Sequence, residues 1–74
     1  MTNEELFSKS RSEWERIIDE HIIGKNAERN RKILKLKLLD GITHEKIAEE
    51  IDMSVIQVKR VVRNGTEIIS RTIK

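Results

Sequence analysis

The chain of 74 residues has no cysteine, no proline and no tyrosine, and a single phenylalanine and a single tryptophan. The absence of cysteine excludes disulfides and thiolate zinc sites. No apolar run approaches the roughly 18 residues needed to span a bilayer. The opening string MTNEELFSKS is acidic and mixed rather than basic and then apolar, so no signal peptide is expected. A soluble, cytoplasmic protein without membrane contact is the expectation. With two histidines and no phosphate-cradling glycine loop, the inventory for catalysis is equally thin. His44-Glu45 begins like the zinc-protease string, but the position that must hold a second histidine is Ala48. The chain is therefore not expected to be an enzyme, and no metal or cofactor is called for.

What is present is enough for one small fold. Val, Ile, Leu and Phe make up 22 of the 74 residues, about 30%. That lies above the roughly 20% below which a highly charged chain stays disordered. The length fits one domain, whose core buries only a little over about 60% of the surface an unfolded chain exposes. The formal net charge of +2 is too small to name a partner, but it hides an asymmetry. Residues 1–24 carry three bases and six acids, net −3, and residues 25–74 carry twelve bases and seven acids, net +5. From Ser54 onward there are five bases and one acid, so positive potential gathers at that end.

Glycine is limited to Gly24, Gly41 and Gly65, and the twelve isoleucines follow helical rather than strand spacing. An all-α fold is expected, with an acidic helical segment at 1–24 and a second unit at 25–74. Thr2 with Glu5 and Ser12 with Glu15 have capping-box spacing, which predicts one helix over 3–23 or two that break near Ser8 to Ser12. Phe7, Trp14, Ile17, Ile18, His21 and Ile22 share one face, where His21 reads as a satisfied boundary histidine. Gly24 fits a helix stop, and Asn26 can cap a helix running through Arg29 to Leu39. Ile33, Leu34, Leu36, Leu38 and Leu39 point nearly all round that helix, which places it centrally with Lys32, Lys35 and Lys37 reaching outward.

Thr43 can cap a short helix with Ile47, Ala48 and Ile51 on one face. Ser54 with Gln57 forms a further capping box. Val55, Val58, Val61, Val62, Ile68 and Ile69 then fall in one arc with Gly65 at its middle. This predicts a single long helix over 55–73 in which Gly65 allows close packing; the rival reading stops at Asn64 and restarts at Thr66. Residues 41–63, GITHEKIAEEIDMSVIQVKRVVR, have the spacing of a helix-turn-helix. Ala48 is the small residue at the crossing, and Asp52 takes the turn position where glycine is commonest. Aspartate tolerates a left-handed backbone better than most other side chains. Ile56, Lys59, Arg60 and Arg63 lie on the face opposite the valine stripe, where cations suit phosphate and guanine contacts.

This string resembles the helix-turn-helix of region 4 in bacterial sigma factors and sigma-like phage proteins. The residues that carry the likeness are Gly41, Thr43, Ile47-Ala48-Glu49, Ile51, Met53-Ser54 and Val58-Lys59, and Arg29 to Leu39 is similar to the helix that precedes the motif there. The resemblance implies double-stranded DNA as partner, docking on RNA polymerase, and a role in transcription regulation. It also implies base-facing positions at Val55, Ile56, Lys59 and Arg60. Thr43 and His44, at the start of the preceding helix, would lie near backbone phosphate. The full set expected at DNA is Thr43, His44, Ser54, Val55, Ile56, Gln57, Lys59, Arg60 and Arg63. Nothing resembles the sigma region that melts DNA, so a complete sigma factor is not expected. Two of the four base-facing positions are aliphatic, and Val55 reads equally well as a core-edge residue.

Two alternatives stay open at this point. The same fold is read as a protein-interaction module that docks on RNA polymerase or another partner with weak or no DNA contact. A DNA-binding part of a recombination or packaging machine is a third reading. Separately, Ile68, Ile69 and Ile73 need a cover. Internal packing against the first helix is favoured, and a symmetric homodimer through those isoleucines is the alternative.

Overall fold

The structure is a computed structural model that describes residues 10–72. Four helices make up the fold among these residues: α1 (Arg11–His21), α2 (Ala27–Leu34, continued by a π-helical turn at Lys35–Leu39), α3 (His44–Ile51) and α4 (Val55–Thr72). The protein is all-α, with extents of 32 × 24 × 18 Å. No helix among the described residues is long and apolar enough to cross a membrane.

The cap of α1 is a correction to the sequence reading. Ser10, not Ser12, accepts the Glu13 N–H at 3.2 Å, and the Ser10 hydroxyl also lies 3.3 Å from the Glu13 carboxylate. Both serines stand three residues before a glutamate. The helix that starts at Arg11 buries Trp14, Ile18 and, just past its end, Ile22. The Thr2 cap and Phe7 lie outside the described residues. At its other end α1 stops at His21 rather than reaching residue 23. Ile22 adopts extended backbone, and Arg31 Nε donates to its carbonyl at 2.7 Å. That bond satisfies one of the acceptors a helix end leaves open and ties α1 to α2. Gly24 then turns the chain with φ +108°. His21 Nδ1 lies 3.0 Å from the Ile17 carbonyl, which makes it the donor of a local bond, as expected for a satisfied boundary histidine.

The second helix starts at Ala27 with Asn26 at its cap position, as expected, although the Asn26 side chain makes no capping hydrogen bond. Its apolar residues face two directions. Leu34, Leu38 and Leu39 pack into a cluster with Trp14, Ile18, Ile22 and Ile69, whereas Ile33 and Leu36 pack into another with Ile47, Ala48 and Val58. Hydrogen bonds of the i→i+5 type, such as Asp40 N–H to the Lys35 carbonyl at 3.2 Å, widen the turn and bring Leu39 under Leu34. Gly41, with φ +68°, ends the segment, and Ile42 N–H donates back to the Leu36 carbonyl at 3.0 Å.

The last helix is continuous through Asn64 and Gly65 over its 18 residues. It crosses α2 in the most extensive helix pair of the fold. Gly65 is buried at that crossing against Leu34. A Cβ at position 65 would come within 2.8 Å of Leu34 Cδ2 and 3.0 Å of Cγ. Leu34 is itself fully buried in the cluster with Trp14, Ile18, Ile22 and Ile69, so moving its methyls would disturb that packing. The expected isoleucine pair divides: Ile69 is fully buried beneath α1, while Ile68 is 43% exposed and Ile73 lies outside the described residues.

Two ion pairs join the acidic first helix to the basic second one, Arg11 to Asp40 at 2.8 Å and Asp19 to Lys35 at 2.8 Å. The hydrogen bond from Arg11 holds the Asp40 carboxyl below its ordinary value of 3.8. A carboxylate lowered in this way adds stability above its unfolded value and loses it as pH falls through the folded one. Asp40→Asn is therefore expected to flatten part of the stability loss below about pH 4. Parallel urea titrations across pH 2–6 check this, with wild type losing more than the variant.

Gly65→Ala would gain about 1 kcal/mol in an open helix. Here the clash with Leu34 reverses the sign, and a destabilisation of about 1–3 kcal/mol is expected in urea unfolding.

Candidate functional site

The segment of interest is α3, the turn through Asp52, Met53 and Ser54, and the first half of α4. Its geometry is set by caps at each joint. Thr43 Oγ1 accepts the Lys46 N–H at 3.2 Å and starts α3. At the far end Asp52 takes the left-handed backbone with φ 61° and ψ 52°, as its place in the sequence predicts. Met53 N–H donates to the Ala48 carbonyl at 2.9 Å, and Met53 packs against the cluster that holds Ala48. Asp52 N–H bonds the same Ala48 carbonyl, so the helix ends in a left-handed cap with its accompanying apolar contact. Ser54 then opens α4 through a reciprocal box: Gln57 N–H donates to Ser54 Oγ at 3.2 Å, and Ser54 N–H donates to Gln57 Oε1 at 3.1 Å.

The packing beneath the turn fixes which side chains face out. Ile47, Ala48 and Val58 are buried with Ile33, and Met53, Val55, Val61 and Val62 pack around them. Val55 is thus half-buried at the core edge. The opposite face of α4 presents Ile56, Lys59, Arg60 and Arg63, all exposed and spaced at i, i+3, i+4 and i+7. These four residues line one shallow surface concavity. Ile56 is 70% exposed at its rim.

The electrostatics of that face differ from those of the rest of the protein. Arg11, Arg16, Lys35 and Arg71 each have a carboxylate partner, Arg71 with Glu67 at 2.7 Å. Lys59, Arg60 and Arg63 have none among the described residues. Lys25, Arg29, Arg31, Lys32, Lys37 and Lys46 are also outside any ion pair there; Arg29 donates to Asn30 and Arg31 to the Ile22 carbonyl, and the six are distributed over the loop before α2, α2, its π turn and α3. Among the described residues, three such cations share a face at i, i+3/i+4 spacing on α4. The acidic residues of α3, Glu45, Glu49 and Glu50, are exposed and form a solvated acidic surface. No group of three His, Asp or Glu side chains among the described residues could hold a metal ion.

The nine residues expected at DNA therefore fall into three sets. Ile56, Lys59, Arg60 and Arg63 come together on one exposed face. Thr43, Ser54 and Gln57 are exposed, but their side chains are engaged in caps. His44 and Val55 are half-buried. Arg31, a further cation that the sequence offers for backbone phosphate, is half-buried and donates its Nε–H to the Ile22 carbonyl. Comparison of the chain with protein-family models, curated proteins and solved structures finds no match.

The turn yields a direct test. A left-handed backbone costs an L-residue about 1–2 kcal/mol, less for aspartate, and glycine nothing of that kind. Asp52→Gly is expected to raise stability by about 0.5–1 kcal/mol after the entropy that glycine loses on folding. A thermal melt should move up by a few degrees; a fall would mean that the aspartate side chain stabilises the turn.

Proposed function

We propose that the protein binds double-stranded DNA through the outer face of α4, as a sigma region 4-like helix-turn-helix acting in transcription regulation. The observation that carries this reading is the group of three unpaired cations, Lys59, Arg60 and Arg63, on one exposed helix face. Surface carboxylates match other cations of the fold, as they do for Arg11 and Lys35. Here they are left to an external anion. A helix of α4's diameter fits the major groove of duplex DNA, where its N-terminal residues meet base edges. In this arrangement Lys59 and Arg60 face bases, Arg63 faces the backbone, and the start of α3 with Thr43 and His44 lies near phosphate.

The alternative, a module that docks on RNA polymerase or another protein, drew on Val55 and Ile56 as an aliphatic pair. Val55 packs inward against the core cluster, so Ile56 is the exposed member of that pair; the other exposed isoleucines, Ile23 and Ile68, lie outside this first half of α4. A single side chain is far below the few hundred Å² of apolar patch that marks protein docking. The DNA reading is therefore preferred.

Contacts to about four or five phosphates predict a slope near −4 when log affinity is plotted against log salt. A flat salt response in a fluorescence-anisotropy titration with duplex DNA would falsify the reading. Because both side chains are exposed, the double variant Lys59→Ala, Arg60→Ala is expected to keep the fold by circular dichroism and lose specific binding. Capture of polymerase from nuclease-treated extract, with no duplex binding in vitro, would favour docking instead.

A further inference from the structure

The first turn of α4 offers a duplex an apolar group in the place where hydrogen-bonding side chains are usual. Ser54 and Gln57 are engaged with each other's backbone. The Gln57 amide keeps its nitrogen donors and a second lone pair on its oxygen, but the bond from Ser54 N–H holds the amide at the cap. Val55 is turned into the core cluster. Within this first turn Ile56 is the apolar residue that is exposed, at 70%, and outside both apolar clusters; Ile23 and Ile68 share that state elsewhere on the surface. A lone surface isoleucine is ordinary. This one sits in a concavity whose other walls are Lys59, Arg60 and Arg63, none of them ion-paired among the described residues.

The chemistry of the major groove narrows what such a side chain can meet. Every base edge there displays donors and acceptors, and the one apolar group is the 5-methyl of thymine. Isoleucine is β-branched and stiff at χ1, so it loses little freedom on contact. Arg60 follows Ile56 by four residues, about 6 Å along the helix axis. That is close to two base-pair steps of about 3.4 Å. Arg60's planar fork matches the O6 and N7 acceptors of guanine. We propose that Ile56 is a specificity residue that reads a thymine methyl, with Arg60 reading a guanine within two base pairs of it. This rests on the DNA-binding reading above and goes beyond it by naming the step that is recognised.

The test uses the full chain to select duplexes from a randomised library. Each thymine of the enriched duplex is then replaced in turn by deoxyuridine, which removes only the methyl. One such replacement, with a guanine within two base pairs, is expected to weaken binding about fourfold, the worth of one buried methyl. The Ile56→Ala variant, altered at a side chain outside the core, is expected to bind the thymine and deoxyuridine duplexes equally. If no replacement matters, if no guanine lies near the sensitive thymine, or if Ile56→Ala keeps the same preference, the inference is overturned while duplex binding stands. If the chain neither enriches nor binds any duplex, both this inference and the DNA-binding reading fall.

Discussion

The close crossing of α2 and α4 at Leu34 and Gly65 is the constraint on which the rest of the structure depends. Leu34 fills the space that a side chain at position 65 would need, so the two helices approach more closely there than side chains normally permit. From that point α4 extends both ways. Its first half closes one apolar cluster with α3 through Val58, and its second half closes the other with α1 through Ile69. With 18 residues at about 1.5 Å each, it runs nearly the length of the molecule. A helix whose inner face is so fully occupied presents its outer face in a fixed register. Ile56, Lys59, Arg60 and Arg63 therefore form one surface, fixed relative to the turn that precedes it.

Much of this was legible in the sequence because it depends on local rules. The caps at Thr43 and Ser54 follow from side chains that can reach an N–H three residues on, and both are observed. The left-handed Asp52 follows from the end of one apolar repeat and the start of the next. Gly65 sits in the middle of the valine-isoleucine arc, which marks it as a contact rather than a break. What was not legible depends on partners distant in sequence. Ser10 and Ser12 have the same spacing to a glutamate, and the structure settles on the serine that leaves Trp14 and Ile18 facing Leu34 and Ile69. The π turn at Lys35–Leu39, where Leu36 and Leu39 join different clusters, was also not legible, since the sequence reads there as ordinary helix. The bond from Arg31 to the Ile22 carbonyl likewise joins residues nine apart in sequence, across the turn between α1 and α2.

The candidate site divides along the same line. Periodicity was sufficient to find its exposed face, since exposure on a packed helix is set by register. It could not decide Val55, at the edge of the buried arc; that Ser54 and Gln57 hold each other was legible from capping-box spacing instead. Charge follows a related pattern. The acidic first helix is joined to the basic part through Arg11–Asp40 and Asp19–Lys35. The cations of α4's outer face are left out of that network. A total charge of +2 thus combines an internally matched region with an unmatched one.

The central claim, that this unmatched face is the surface that meets DNA, is tested most directly by mapping amide chemical shifts of the labelled chain as duplex DNA is added. The account predicts that the shifts concentrate at Thr43 to Glu45 and along Ser54 to Arg63, with α1 unmoved. Shifts that centre on α1, or that appear nowhere at low salt, would contradict it.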